Sequence, residues 1–113
     1  MKKFISLNEP LVGNAEIINL NNCIRSNWIS SGKYIENFEK KISLYTKSSY
    51  VVLCSNCSVA LYIALKILGI EAKDEIITPT LTFVAPINAI ILCGASPIFM
   101  DADKYHSIDI ENR

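Results

Sequence analysis

Ser55-Asn56-Cys57-Ser58 is a short polar turn set between an apolar run and an apolar helix. Such a turn aims unpaired backbone N–H groups at one point in space, which suits an anion and above all a phosphate. Two readings of it stand. In one, the N–H groups of Ser58 and Val59 and the Ser58 hydroxyl form a phosphate cup. In the other, a Ser or Asn caps the head of a buried helix and does nothing else. The same stretch holds Cys54-x-x-Cys57, a spacing that can work as a thiol–disulfide pair at a strand-to-helix junction. Cys54 ends an apolar run, however, and packs equally well as a small hydrophobe. One C-x-x-C and a lone, distant His106 do not make a zinc site. Asn56-Cys57-Ser58 matches the glycosylation sequon, a reading that needs a secretory signal the sequence does not offer.

Three further places carry side chains of chemical interest. Phe83 follows an apolar run and a loop with Thr80 and Thr82, where an aromatic ring can stack on a flat cofactor or simply join the core. Trp28, Ser30, Ser31 and Gly32 can line a substrate mouth or form an ordinary Gly-Ser loop. Asp101 and Asp103 follow a third apolar run and could be catalytic carboxylates, yet acids in a turn are mostly solvated, and both are read as structural.

These groups need elements to position them, and the hydrophobic pattern supplies a helix-helix-strand-helix-strand-helix-strand order. A first helix over 15–25, capped by Asn14, has Ile17, Leu20 and Ile24 on one face. A second over 34–45 puts Ile35, Phe38, Ile42 and Tyr45 on one stripe, opposite Glu36, Glu39, Lys40 and Lys41. Tyr50–Leu53 is rich in β-favouring residues and predicts a strand. A helix over 59–68 follows, stopped by Gly69. A strand over 75–78, a helix over 83–93 stopped by Gly94, and a strand over 96–101 complete the pattern. Pro86 fits only in the first turn of its helix. Strands alternating with single helices predict an α/β fold of parallel β-α-β units, here preceded by two helices. Ligands of such sheets sit beyond the carboxyl ends of the strands, where Ser55–Ser58 and Thr80–Phe83 fall.

The 113 residues, with 11 basic and 11 acidic side chains, carry no net charge that would suit nucleic acid or a membrane surface. The Lys2-Lys3 start lacks the apolar stretch of a signal peptide, because Asn8, Glu9 and Pro10 interrupt it. The uncharged run 76–100 is broken by Pro79, Pro86, Gly94 and Pro97, a poor membrane span. A cytoplasmic protein with reduced cysteines is the expectation. The helix over 59–68 has one charge, Lys66, and that over 83–93 has none, so both need cover on more than one side. Asp109 and Glu111 resemble the start of another helix. Together these features read as the front part of a larger protein.

The order of blocks resembles the DegT/DnrJ-type family of pyridoxal-phosphate sugar aminotransferases. The blocks are Asn27–Gly32, Phe38-Glu39, Ser55–Leu61, Asp74–Ala85, Asn88–Ile90 and Gly94–Asp101. DEIITPTLTF is the most specific, and LTFVAPINAI with PIFMDAD is most similar to the branch that aminates 4-keto-6-deoxy nucleotide sugars, of the legionaminic-acid and perosamine type. The resemblance implies the N-terminal part of a fold-type I aminotransferase. Residues 1–49 would be a helical segment with the substrate-mouth loop, and 50–113 the first part of the large, pyridoxal-phosphate-binding domain. It implies a homodimer with active sites at the subunit interface, a nucleotide-sugar substrate and an amino-acid donor. By position, Ser58 and Val59 match the pair that holds the cofactor phosphate, and Phe83 the aromatic that stacks on its ring. Cys57-Ser58 stands where the family usually has Gly-Thr, so a hydroxyl is kept while a side chain is added. The family's cofactor-carrying lysine and the acid facing the pyridine nitrogen lie downstream of the matched blocks. No lysine of the 113 matches, so no catalytic residue is assigned and the chain alone is expected to be inactive. A truncated gene, a split gene or an incomplete reading frame would account for this. A small thiol–disulfide protein using Cys54 and Cys57, or a non-catalytic interaction fragment, are the alternatives.

Overall fold

The structure, a computed structural model, describes residues 4–110. The expected continuation of a helix through Glu111 lies outside them. The chain divides into two compact units, residues 1–53 and 54–113.

The first unit is built on two helices. α1 spans Asn14–Arg25 and α2 spans Lys33–Thr46. Asn14 is not the cap of α1, as the sequence suggested. Gly13 is, and the Glu16 carboxylate reaches back to accept its N–H at 2.8 Å. That acid in the first turn also faces the positive end of the helix dipole. Glu36 takes the corresponding first-turn place in α2.

Tyr50–Leu53 is not a strand, a correction to the expectation. Its side chains do alternate, with Tyr50 and Val52 exposed and Val51 and Leu53 half-buried. What it lacks is a ladder. The Leu53 N–H donates to Glu39 Oε1 at 3.0 Å, so a side chain 14 residues back takes the place of a neighbouring strand. A run of β-formers becomes a strand only when a second backbone lies beside it.

The second unit is α/β. α3 spans Cys57–Ile67, β1 Glu75–Pro79, α4 Val84–Leu92 and β2 Ser96–Met100. β1 and β2 pair in parallel, with Glu75 opposite Ser96 and Pro79 opposite Met100, and α4 is the crossover between them. The sheet therefore has two strands where three were expected. Pro86 falls at the third position of α4, where no intrahelical N–H is needed. Both apolar helices end alike. Gly69 and Gly94 adopt φ of +80° and +84°, and the following N–H groups return to Leu65 O and Ile90 O at 3.1 and 3.2 Å. Each is a Schellman closure, which satisfies carbonyls that would otherwise be orphaned.

The core is small. Ala85, Ala89 and Ile90 of α4 are buried with Cys93 and Ala95, and Thr78 is the buried polar residue among those described. α4 packs on α3 and on the sheet, while Val59, Ile63, Ile67, Ile91 and Leu92 stay exposed. Apolar helix faces left open in this way match the expectation from Lys66 being the only charge between 59 and 68.

Candidate functional site

In the second unit the polar turn becomes the head of α3. Asn56 is its N-cap, and the carboxamide oxygen accepts the Val59 N–H at 3.0 Å. Cys57 and Ser58 are therefore the first two helical residues, two positions earlier than the sequence pattern placed the helix start. Their N–H groups precede the first intrahelical hydrogen bond, which Ala60 makes to Asn56 O at 3.2 Å. The head of α3 thus offers two N–H groups, Cys57 and Ser58, while the third, Val59, is occupied by the cap. Ser58 is half-buried, and its hydroxyl has no hydrogen-bond partner among the described residues. Cys57 is exposed, Cys54 is half-buried, and both are free thiols.

Phe83 caps α4 with an extended backbone, φ −69° and ψ 158°, and the residue is 79% exposed. It closes the loop that leaves β1. That loop begins late, because the Thr80 N–H still bonds Met100 O at 2.8 Å and prolongs the sheet by one residue. Phe83 is thus fixed by a strand end on one side and a helix start on the other. Its helix, α4, packs on α3, which carries Cys57, Ser58 and Val59.

Asp103 is consumed by local structure, as expected. Its Oδ1 accepts the N–H groups of Tyr105 and Ser107 at 2.8 and 2.9 Å. Among the described residues no cluster of His, Cys, Asp and Glu could hold a metal ion. No helix there is long and apolar enough to cross a membrane.

In the first unit, Trp28 stands in the loop between α1 and α2 with its backbone held at both ends. Its N–H donates to Ser26 Oγ at 3.3 Å, and its carbonyl accepts from the Cys23 thiol at 3.0 Å. Gly32, with φ +115°, lies so close that a Cβ there would sit 3.4 Å from Trp28 Cβ. Trp28, 64% exposed, forms part of the lining of a cavity of about 360 Å³. Of the four residues expected at a substrate mouth, Trp28, Ser31 and Gly32 line this cavity and Ser30 does not. Ser26, Lys33, Tyr34 and Glu36 also line it and were not among the candidates: the pattern left Lys33 at the end of a loop and put Glu36 on the outer face of a helix. A helix start facing a Trp-containing loop was the available signal.

Residues 10–112 match the DegT/DnrJ/EryC1/StrS aminotransferase family. The chain is 45% identical over 103 residues to the GDP-perosamine synthase of Escherichia coli O157:H7, covering 90% of this chain and 28% of that protein. It is 43% identical to the GDP-perosamine synthase of Vibrio cholerae, covering 88% of this chain and 27% of that one. A solved structure described as a sugar aminotransferase of Streptococcus pneumoniae, in its PLP form, superposes with a TM-score of 0.87 at 30% identity. That match covers 93% of this chain and 27% of the other. The chain thus spans little more than a quarter of the length of these relatives, whose family depends on pyridoxal phosphate. On the order of its blocks and the fold that carries them, the chain belongs to the DegT/DnrJ/EryC1/StrS aminotransferase family.

Proposed function

We propose that this chain forms the cofactor-phosphate and ring-stacking part of an aminotransferase that moves an amino group from an amino-acid donor to a keto nucleotide sugar. The observation that carries the reading is the head of α3. Two N–H groups without intrahelical partners and a half-buried, unpartnered Ser58 hydroxyl occur together in the first turn of a helix. A phosphate is the ligand that suits this donor set. Cys57 and Ser58 would donate backbone N–H groups to it, and the Ser58 hydroxyl a third bond. The Val59 N–H, held by Asn56, would keep the turn in shape rather than bind. Phe83 would cover one face of the pyridine ring. The bound cofactor supplies the electron sink for amino transfer, and the protein supplies orientation.

The GDP-perosamine synthases to which the chain is similar support a nucleotide sugar as acceptor, and its similarity to a spore coat polysaccharide biosynthesis protein of Bacillus subtilis supports polysaccharide formation as the setting. The proposal includes a cytoplasmic homodimer with active sites at its interface, and Trp28, Ser30, Ser31 and Gly32 at the substrate mouth. The lysine that carries the cofactor would come from the part of the enzyme that these 113 residues do not match, so they would not turn over alone.

Equilibrium dialysis of this chain against pyridoxal 5′-phosphate and against pyridoxal tests the phosphate assignment. Tighter binding of the phosphorylated form is expected, with Ser58→Ala weakening it about tenfold and leaving pyridoxal unaffected. Equal binding of the two, unmoved by Ser58→Ala, would remove the phosphate from this turn.

A further inference from the structure

The cavity beside Trp28 is lined by residues of three chemistries. Its lining includes the exposed Trp28, the cationic Lys33 and the anionic Glu36. Lys33 and Glu36 lie three apart on α2 and so share a helix face. The Lys33 Nζ rests 5.4 Å from the centre of the Tyr34 ring, which belongs to the same lining. A bare anion fits this set poorly, because Glu36 repels what Lys33 attracts. A purely aromatic ligand leaves both charges unused. The set suits a molecule that is flat at one end, anionic at the other, and rich in N–H or O–H donors between.

We propose that this cavity holds the nucleoside-diphosphate half of the substrate. The base stacks on Trp28, Lys33 pairs with a phosphate oxygen, and Glu36 accepts from a donor of the base or ribose. A volume of about 360 Å³ is enough for the base and ribose, with the phosphates at the mouth. The backbone of Trp28 is fixed by Ser26 and Cys23, and Gly32 closes in beside the side chain, so the ring is presented without a large ordering cost. The assignment rests on the nucleotide-sugar reading above, and adds Lys33, Tyr34 and Glu36 as residues that select the ligand.

Trp28 is the sole tryptophan of the chain, so its fluorescence reports on this cavity alone. The experiment titrates the chain with GDP, with guanosine and with inorganic pyrophosphate, in the absence of pyridoxal phosphate. GDP is expected to change the emission saturably and to bind at least about tenfold more tightly than guanosine or pyrophosphate. Lys33→Ala should weaken GDP about tenfold without altering guanosine, and Lys33→Arg should restore it. Lys33 is exposed, and Ala and Arg both favour helix, so neither variant threatens the fold. No saturable change with GDP, or GDP and guanosine weakened alike by Lys33→Ala, overturns the proposal. Because the titration contains no cofactor, its failure is separable from failure of phosphate binding at Ser58. Loss of the Ser58 effect with GDP binding intact would condemn the other reading only.

Discussion

The Asn56 side chain and the Val59 backbone are joined by a 3.0 Å hydrogen bond that decides how the head of α3 can be used. It satisfies one of the orphan donors of the helix and leaves those of Cys57 and Ser58 for a ligand. Asn56→Ala should therefore destabilise the second unit by about 1 kcal/mol. Asn56→Asp keeps an acceptor for Val59 and should preserve stability, yet it sets a negative charge beside the proposed phosphate. Urea unfolding and pyridoxal-phosphate dialysis on the two variants separate the effects. A stable Asn56→Asp chain that binds the cofactor as well as the native one would sink the assignment of Cys57 and Ser58 as phosphate donors.

Gly69 and Gly94 end α3 and α4 with the same backbone geometry, but their surroundings differ. A Cβ on Gly69 would meet nothing within 4 Å, whereas one on Gly94 would lie 3.3 Å from Ala72 Cβ. Gly69→Ala should cost only the left-handed strain of an L residue, about 1–2 kcal/mol. Gly94→Ala carries that strain and must also displace Ala72. Chemical denaturation should rank Gly94→Ala as the more damaging. Equal midpoints would mean that Ala72 yields freely.

Thr78 is 2% exposed and its Oγ1 has no hydrogen-bond partner among the described residues. A buried hydroxyl without a hydrogen bond costs stability, and a valine of the same shape avoids that cost. Thr78→Val should leave the unfolding free energy unchanged or raise it by up to about 1 kcal/mol. Thr78→Ser keeps the hydroxyl and loses the methyl, and should lower it by about 1 kcal/mol. A Thr78→Val chain clearly less stable than the native one would reveal a partner for the hydroxyl.

Local chemistry was the legible part of this fold. Gly69 and Gly94 marked both helix ends, and the near-absence of charge in α3 and α4 announced uncovered faces. The parallel pair and its crossover followed from the alternation of apolar runs. Tyr50–Leu53 failed because a ladder depends on a neighbour that no local window contains, and Glu39 supplied the hydrogen bond instead. The turn at 55–58 was correctly seen as a helix head. Which of Asn56 and Ser58 would cap was open, since both are good caps, and the choice moved the free N–H groups by one residue. Lys33 and Glu36 were hidden because a charged residue at a loop end or on a helix face gives no sign of the cavity it lines.

The Glu16 carboxylate is held below its usual value of 4.5 by the backbone N–H of Gly13 and then by its own backbone N–H. A depressed folded-state value means that the ionised form favours α1. That contribution is fully present above the unfolded value and is lost as pH falls from there through the folded one. Neutral and mildly acidic solutions should therefore leave α1 unaffected, and further acidification should loosen its first turn. Glu16→Gln removes the charge and most of the effect. Amide exchange at the start of α1 should then be faster in Glu16→Gln than in the native chain at pH 6, with the two converging as the native carboxylate is protonated. Because the side chain is on the surface, salt should narrow the gap at pH 6. A gap that persists unchanged below the folded value would show that hydrogen bonding by the uncharged group, and not the carboxylate, holds the cap.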